Sequence, residues 1–243
     1  MKTVIITGGT RGLGGAIAKE FARNNYNLIL TYVNDDETAR LIKKEIEEQY
    51  NVKIITIKMD VSKEGDVLNL LEVATTNFKN IDVLINNAAI AIDTSLEDKT
   101  VENFKNILNI NLIGPFLTSK YIGKKMFDNG YGKIINISSN NALDSYYPES
   151  MDYDASKAGL NSLTHNFALL YAPYVTVNAV ALGWVDTEMN KDMDIEFRKN
   201  EEEKILLKRF ANKEEIAKTV YFLANDTYIN NTIIRVDGGV KGE

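Results

Sequence analysis

Two short stretches of this chain carry residue types that can do chemistry at a useful spacing. The first is Thr7-Gly8-Gly9-Thr10-Arg11-Gly12-Leu13-Gly14, which follows a short apolar run. Glycines at 8, 12 and 14 serve three ends there. One permits a sharp turn, one lets a phosphate approach the backbone, and one lets the next helix pack close on a sheet. The N-terminus of that helix then offers free N–H groups and partial positive charge to an anion. A nucleotide-binding turn is the reading, with a purely structural turn as its rival. Arg11 stands inside the turn, where a guanidinium could pair with an added phosphate. The stretch Leu30-Thr31-Tyr32-Val33-Asn34 lacks the carboxylate that grips a ribose 2′-hydroxyl. NADP(H) is therefore favoured, with NAD(H) as the alternative. Asp35 and Asp36 follow closely and could instead cap the next helix.

The second stretch is Tyr153-Asp154-Ala155-Ser156-Lys157. Residues four apart share a helix face. A free phenol has a pKa of about 10, and a nearby ammonium favours the phenolate. Such a tyrosine can give or take a proton on an alcohol or carbonyl oxygen. Alone, the pair could equally be a core tyrosine and a surface lysine. Its place gives it meaning, because it follows an apolar run ending in Ser138-Ser139, downstream of the nucleotide turn.

These residues need a frame. Short β-branched runs recur at Thr3–Thr7, Asn27–Val33, Val52–Lys58, Ile81–Asn86, Gly132–Ser138, Val175–Val180 and Thr232–Val236. Most are nearly continuous in apolar residues, as strands covered on both faces should be. Between them lie helical spacings, marked first by Leu13, Ile17, Ala18 and Phe21, then by Ala39, Ile42, Ile46 and Tyr50, and then by Val67, Leu70, Leu71 and Ala74. Strand–helix alternation along the whole chain predicts one α/β domain over residues 1–243. It would be a doubly wound, seven-stranded parallel sheet with helices on both faces, a Rossmann fold. Right-handed crossovers then gather the loops after each strand along one edge, where ligands bind. A polar stretch over 186–204 interrupts the pattern. It is either a solvated loop or a lid over a substrate cleft, drawn at about 186–208.

Composition narrows the chemistry. The 243 residues include no cysteine, which excludes a disulfide scaffold, a thiolate zinc site and a cysteine nucleophile. One histidine, His165, argues against a histidine-rich metal cluster and a Ser-His-Asp triad, so no metal is expected. The net charge of −6 is the wrong sign for a nucleic-acid binder. No apolar run approaches the roughly 20 residues needed to span a bilayer. The expectation is a cytoplasmic protein without a membrane or nucleic-acid partner.

In order along the chain, these motifs resemble the short-chain dehydrogenase/reductase family. The glycine turn is similar to its TGxxxGxG. Asp60-Val61 corresponds to the adenine contact, and Asn86-Asn87-Ala88-Ala89 to its NNAG. Asn111, Ser139, Tyr153 and Lys157 correspond to the four catalytic residues. Val177-Asn178-Ala179-Val180-Ala181-Leu182-Gly183, Thr187 and Val236-Asp237-Gly238-Gly239 complete the series. The resemblance implies an oxidoreductase that interconverts a ketone and a secondary alcohol by hydride transfer. NADP(H) would lie against Gly8, Thr10, Arg11, Gly12, Leu13 and Gly14, with Asp60, Val61, Asn87, Ala88, Gly183 and Thr187 further along. Tyr153 would be the acid or base, and Lys157 would bind the nicotinamide ribose and tune Tyr153. Ser139 would hold the substrate oxygen. Asn111 would hold a water linking Lys157 to solvent.

The chain departs from that pattern in three places. Leu182 replaces a proline, Ala89 replaces a glycine, and the segment 170–177 is one residue short. Ser138 rivals Ser139, since neighbouring strand residues face opposite ways. The nearest branch is the 3-oxoacyl-carrier-protein reductases, so the substrate could be a small carbonyl or alcohol, free or carrier-protein-bound. Sugars, steroids and small ketones are alternatives. A carrier is acidic, and Lys120, Lys124, Lys125 and Lys133 are candidate docking residues or simply a solvated face. Tyr146, Tyr147, Pro148 and Met151 are expected to line the pocket. A non-catalytic NADP-binding sensor is the alternative of another class. The resemblance also implies a homotetramer through the helices of 100–128 and 152–171.

Overall fold

The computed structural model describes residues 1–190 and 193–240. The strands in chain order are β1 Thr3–Ile6, β2 Asn27–Tyr32, β3 Ile54–Lys58, β4 Val83–Asn86, β5 Gly132–Ser139, β6 Val175–Leu182, the two-residue β7 Val185–Asp186 and β8 Ala211–Asn212, and β9 Ile233–Val236. Seven of them form one parallel sheet in the order β3-β2-β1-β4-β5-β6-β9. All seven predicted runs are present, with ends displaced by one or two residues. Their side chains explain the arrangement: β1 and β4 are buried along their whole length, as both faces of a parallel sheet require.

The helices are α1 Gly12–Arg23, α2 Asp36–Gln49, α3 Glu64–Asn77, α4 Val101–Leu108, α5 Gly114–Thr118, α6 Lys124–Asp128, α7 Met151–Tyr171, α8 Ile195–Lys204 and α9 Lys213–Asn225. Two π-helical turns, Asn109–Ile113 and Ser119–Gly123, join α4, α5 and α6 into one long element. One core cluster packs Ile17, Phe21, Ile42, Ile46, Ile216 and Val220 against one sheet face. The other packs Val67, Leu70, Ile122, Met126 and Phe167 against the opposite face. At roughly 1.5–3 kcal/mol for each large apolar side chain, these two layers dominate the favourable side of folding.

The chain winds outward from β1 to β3 and returns to β4 on the other side of β1. That reversal leaves a crevice beyond the carboxyl ends of β1 and β4. The glycine turn leaves β1 at this point and Asn87 leaves β4. Ser138 and Ser139 close β5 two strands away from β1. The expected lid region, about 186–208, begins in β7 and holds α8, with β8 just beyond it, while residues 191–192 lie outside the described residues.

Candidate active site

The glycine turn has the geometry that its spacing demands. Gly8 and Gly12 have φ of +60° and +54°, a region that other residues enter at a cost. A Cβ on Gly14 would overlap the Gly8 carbonyl oxygen and press on the Asn87 amide at 2.7 Å. Thr10 is buried and Leu13 packs on the core beneath the turn. Arg11 is the N-cap of α1 and makes no side-chain cap bond. The first N–H groups of α1 therefore have no side-chain acceptor, as a phosphate cradle needs. The turn thus suits the pyrophosphate of a dinucleotide.

Neighbouring loops brace this turn. The Asn87 amide donates to the Thr7 and Gly8 carbonyls, both at 3.0 Å, and the Ala88 N–H donates to the Thr7 hydroxyl. Asp60 accepts from the Ser62 amide and hydroxyl, and Val61 is buried where Gly114 passes close. Asp35 caps α2 by accepting from the Thr38 N–H at 2.9 Å. Its carboxyl is held below the usual range by the Thr38 hydroxyl and amide, and then by the charge of Arg11. Asp36 instead takes the Tyr32 hydroxyl and the Lys58 ammonium. The capping reading of Asp35 is therefore the one the fold adopts, and Arg11 stands close enough to it to be felt electrostatically.

The side-chain half of the site lies where β5 meets α7. Ser138 and Ser139 do face opposite ways. The Ser138 hydroxyl is buried and donates to Asn161 at 2.7 Å. The Ser139 hydroxyl accepts the Asn141 N–H at 3.2 Å and faces the Tyr153 phenol. Ser139, Tyr153 and Lys157 thus come together, while Ser138 is committed to α7. Lys157 is buried and donates to the Ile137 carbonyl at 2.7 Å, with its ammonium 5.5 Å from the centre of the Tyr153 ring. Burial pushes the Lys157 amine down to about 8. Burial pushes the Tyr153 phenol up to about 12, against the pull of Ser139 and with a small push from Asp154 and Asp93. The expected acidification of Tyr153 by Lys157 is absent in this state. The amine is turned toward the Ile137 carbonyl and does not act on the phenol here, so burial sets the direction.

Asn111 sits in the first π-turn and is fully buried. Its amide clamps residue 90, accepting the Ile90 N–H at 2.9 Å and donating to the Ile90 carbonyl at 2.8 Å, and also donates to Ser156. Gly183 donates to the Val236 carbonyl, and a Cβ there would meet Asp237 at 2.7 Å. The Leu182 substitution therefore leaves the turn closed against the β9 end. Thr187 follows β7, and its carbonyl accepts the Asn190 N–H.

The expected pocket wall is only partly correct. Tyr147 turns inward, packing edge-on against Phe197 and reaching Glu201 at 3.5 Å. Tyr146 is 75 % exposed and points outward, because its hydroxyl is tied back to the Leu143 carbonyl. The sequence reading missed Trp184, Phe197, Phe210 and the buried Glu201. Trp184 stacks on Phe210, and its indole N–H donates to Glu201 at 3.0 Å. It missed Glu188 as well, whose carboxylate lies 3.4 Å from where a Gly12 Cβ would stand. No spacing signals such pairs, since the fold alone brings them together. Lys133 is no docking group: it is 5 % exposed and donates to the Asp226 carbonyl. Lys120 is paired with Glu64, and Lys124 with Asp128. His165 is paired with Asn231. Among the described residues, no group of three potential ligands could hold a metal, and no helix is long and apolar enough to cross a membrane.

A family model described as enoyl-(acyl carrier protein) reductase matches residues 8–241. The chain is 34% identical over 242 residues to a 3-oxoacyl-[acyl-carrier-protein] reductase of Aquifex aeolicus, covering 98% of this chain and 97% of the relative. It is equally 34% identical over 249 residues to 3beta-hydroxysteroid dehydrogenase 1 of Eggerthella lenta, covering 98% and 93%. Among solved structures, a short chain dehydrogenase of Burkholderia cenocepacia in complex with NADP superposes with a TM-score of 0.91. It shares 28% identity over 98% of this chain and 97% of its own. With the motifs, the sheet order and the site geometry, these matches agree: the chain belongs to the short-chain dehydrogenase/reductase family and is an oxidoreductase acting on CH–OH groups.

Proposed function

We propose that the protein interconverts a ketone and a secondary alcohol with NADP(H), using Asn111, Ser139, Tyr153 and Lys157. The observation that carries this reading is the meeting of the Ser139 and Tyr153 hydroxyls beside buried Lys157, on the sheet edge that also bears the glycine turn. NADP(H), when bound, supplies or accepts the hydride. Gly8, Thr10, Arg11, Gly12, Leu13 and Gly14 would hold its phosphates. Asp60 and Val61 would hold the adenine end, Asn87 and Ala88 the ribose region, and Gly183 and Thr187 the carboxamide side.

The residues of the chain do the rest. Ser139 donates to the substrate oxygen and orients it. Tyr153 delivers its phenolic proton to that oxygen in reduction and recovers it in oxidation. At a pKa near 12 the phenol stays protonated, which suits the donor role in reduction, but almost no phenolate is present to act as base in oxidation. The Lys157 ammonium, which here donates to the Ile137 carbonyl, would favour the phenolate in oxidation by turning to face it. Asn111 holds residue 90 and, through Ser156, the first turns of α7. Tyr147, Trp184 and Phe197 form an aromatic wall that excludes water, with α8 as the cover.

Arg11 supports NADP(H) over NAD(H), because its charge reaches Asp35 just past the end of β2, while Lys58 beside the same strand end is taken by Asp36. The substrate is a small carbonyl compound or alcohol. A 3-oxoacyl thioester, free or carrier-bound, is one candidate, beside sugars, steroids and small ketones. Burial of Lys133 and pairing of Lys120 and Lys124 give an acidic carrier little to dock on. Exposed Ile113 and Phe116 on the long helical element support association into a homotetramer. A cytoplasmic location fits a nicotinamide-dependent reductase.

The test is NADPH consumption across a panel of ketones, sugars and 3-oxoacyl thioesters, with cofactor fluorescence titrated in parallel. Turnover on at least one carbonyl supports the reading. Binding without consumption on any compound would make the protein a sensor. Arg11→Ala should weaken NADPH far more than NADH, and equal losses would remove the cofactor assignment.

A further inference from the structure

Lys99 and Asp152 form an ion pair that the reaction just described does not use. The Lys99 ammonium contacts both carboxylate oxygens of Asp152, at 2.9 and 3.0 Å. The two side chains are 4 % and 0 % exposed. Among the described residues it is the ion pair with both partners so deeply buried. A pair like this adds little net stability, because desolvating two charges offsets their attraction. What it does supply is direction: each charge tolerates few alternative places once water is gone.

Its neighbours show what is being directed. The Asp152 carboxylate also accepts the backbone N–H of Tyr153 at 3.0 Å. The other end of the same residue is held too, since the Ser156 hydroxyl donates to the Tyr153 carbonyl at 2.6 Å and accepts from Asn111. Both holders reach the strap that connects β4 to α4. Asn111 grips the strap at Ile90, and Lys99 is the strap itself. Between these points the Thr94 N–H donates to the Glu149 carbonyl at 3.2 Å, just before α7. The strap and the backbone of Tyr153 are therefore tied at both sides of that residue.

Resting on the proposed role of Tyr153, we infer that Lys99 and Asp152 are positioning residues. They lock the Tyr153 backbone to the 88–100 strap, so that the phenol and the strap wall of the cleft keep one relative placement. Neither side chain touches the reacting atoms.

The test compares Lys99→Met, Asp152→Asn, the double variant and Lys99→Arg by melting, cofactor binding, steady-state kinetics and hydrogen exchange. Lys99→Met should melt early, because it leaves a buried carboxylate unpaired. The double variant removes both charges and should melt near the wild type. Its kcat should stay down by about tenfold or more, as a misplaced reacting group costs. Its KM and cofactor affinity should hardly move, and amide exchange should rise in residues 88–100 and the first turn of α7 alone. Lys99→Arg, which can keep a two-pronged contact, should recover most of kcat. A double variant with restored melting, wild-type kcat and unchanged exchange would overturn the inference. Should the double variant melt early too, its kcat and exchange are read at a temperature where cofactor binding shows it fully folded, and the same two outcomes decide. If no carbonyl is turned over by the wild type, the proposed reaction fails while local exchange still decides the positioning claim.

Discussion

The two ends of the parallel sheet differ in what their polar groups are doing. At the amino ends of β1, β2 and β3 lies a recess of about 580 Å³, lined by Lys2, Thr3, Asn27, Lys53, Phe78 and Asp82. Its groups already have partners. Lys53 donates to Asn77 at 3.1 Å, and Asp82 accepts the Thr3 N–H at 2.7 Å. At the carboxyl ends the space is less conspicuous but the groups are poised. Helix α1 starts without a side-chain cap, a buried amine has its pKa pushed down to about 8, and a buried phenol is pushed up to about 12. An uncapped helix start beside a glycine-only turn, with a buried amine and a buried phenol close together, marks the end proposed for the chemistry better than volume does.

The contrast can be broken by mutation. Tyr153→Phe removes the proton donor and leaves the ring. It should cut turnover by about a thousandfold, within the range for general acid catalysis, while cofactor fluorescence titrates as in the wild type. Gly14→Ala forces a Cβ onto the Gly8 carbonyl. Overpacking of this kind costs about 1–3 kcal/mol, or about five- to 150-fold if it falls on cofactor affinity, readable by titration calorimetry.

Lys157→Met sharpens the comparison through stability. The amine falls from 10.5 unfolded to about 8 folded. Between those values the unfolded chain holds a proton that the folded chain lacks, so stability rises with pH across that window. The full effect is about 3 kcal/mol. Melting of the cofactor-free protein should therefore improve from pH 7.5 to 9.5, and Lys157→Met should flatten that slope. The phenol acts oppositely but later, because stability conferred by keeping it neutral is lost only above pH 10. A wild-type slope that survives in Lys157→Met would remove the amine from the account. At the other end of the sheet, Lys53→Ala should change turnover and cofactor affinity not at all, and stability by no more than about 0.5 kcal/mol.

What the sequence announced and what it hid divide along physical lines. The strands showed because both faces are buried, which writes unbroken apolar runs such as Val4-Ile5-Ile6. The glycine turn showed because positive φ and close approach each demand glycine at a fixed place. Tyr153 and Lys157 showed because four residues make one helical turn. Choosing Ser139 over Ser138 needed the strand's facing, which only contacts with Asn161 and Tyr153 resolve. The pair Lys99–Asp152 bridges 53 positions of sequence, and Glu188 meets the turn at Gly12 only after six of the sheet's seven strands have formed. Local spacing cannot register such meetings. The state of Tyr153 was hidden for another reason: whether an amine acidifies a phenol depends on which way the amine turns, and here it faces Ile137.

The central claim is that the Tyr153 hydroxyl serves the carbonyl oxygen that Ser139 orients. A structure of the complex with NADP(H) and a ketone taken from the active panel tests it directly. The account places both hydroxyl oxygens about 2.6–3.2 Å from the carbonyl oxygen, with Lys157 moved off the Ile137 carbonyl. An ordered ketone whose oxygen is met by other groups, with the phenol turned away, would contradict it.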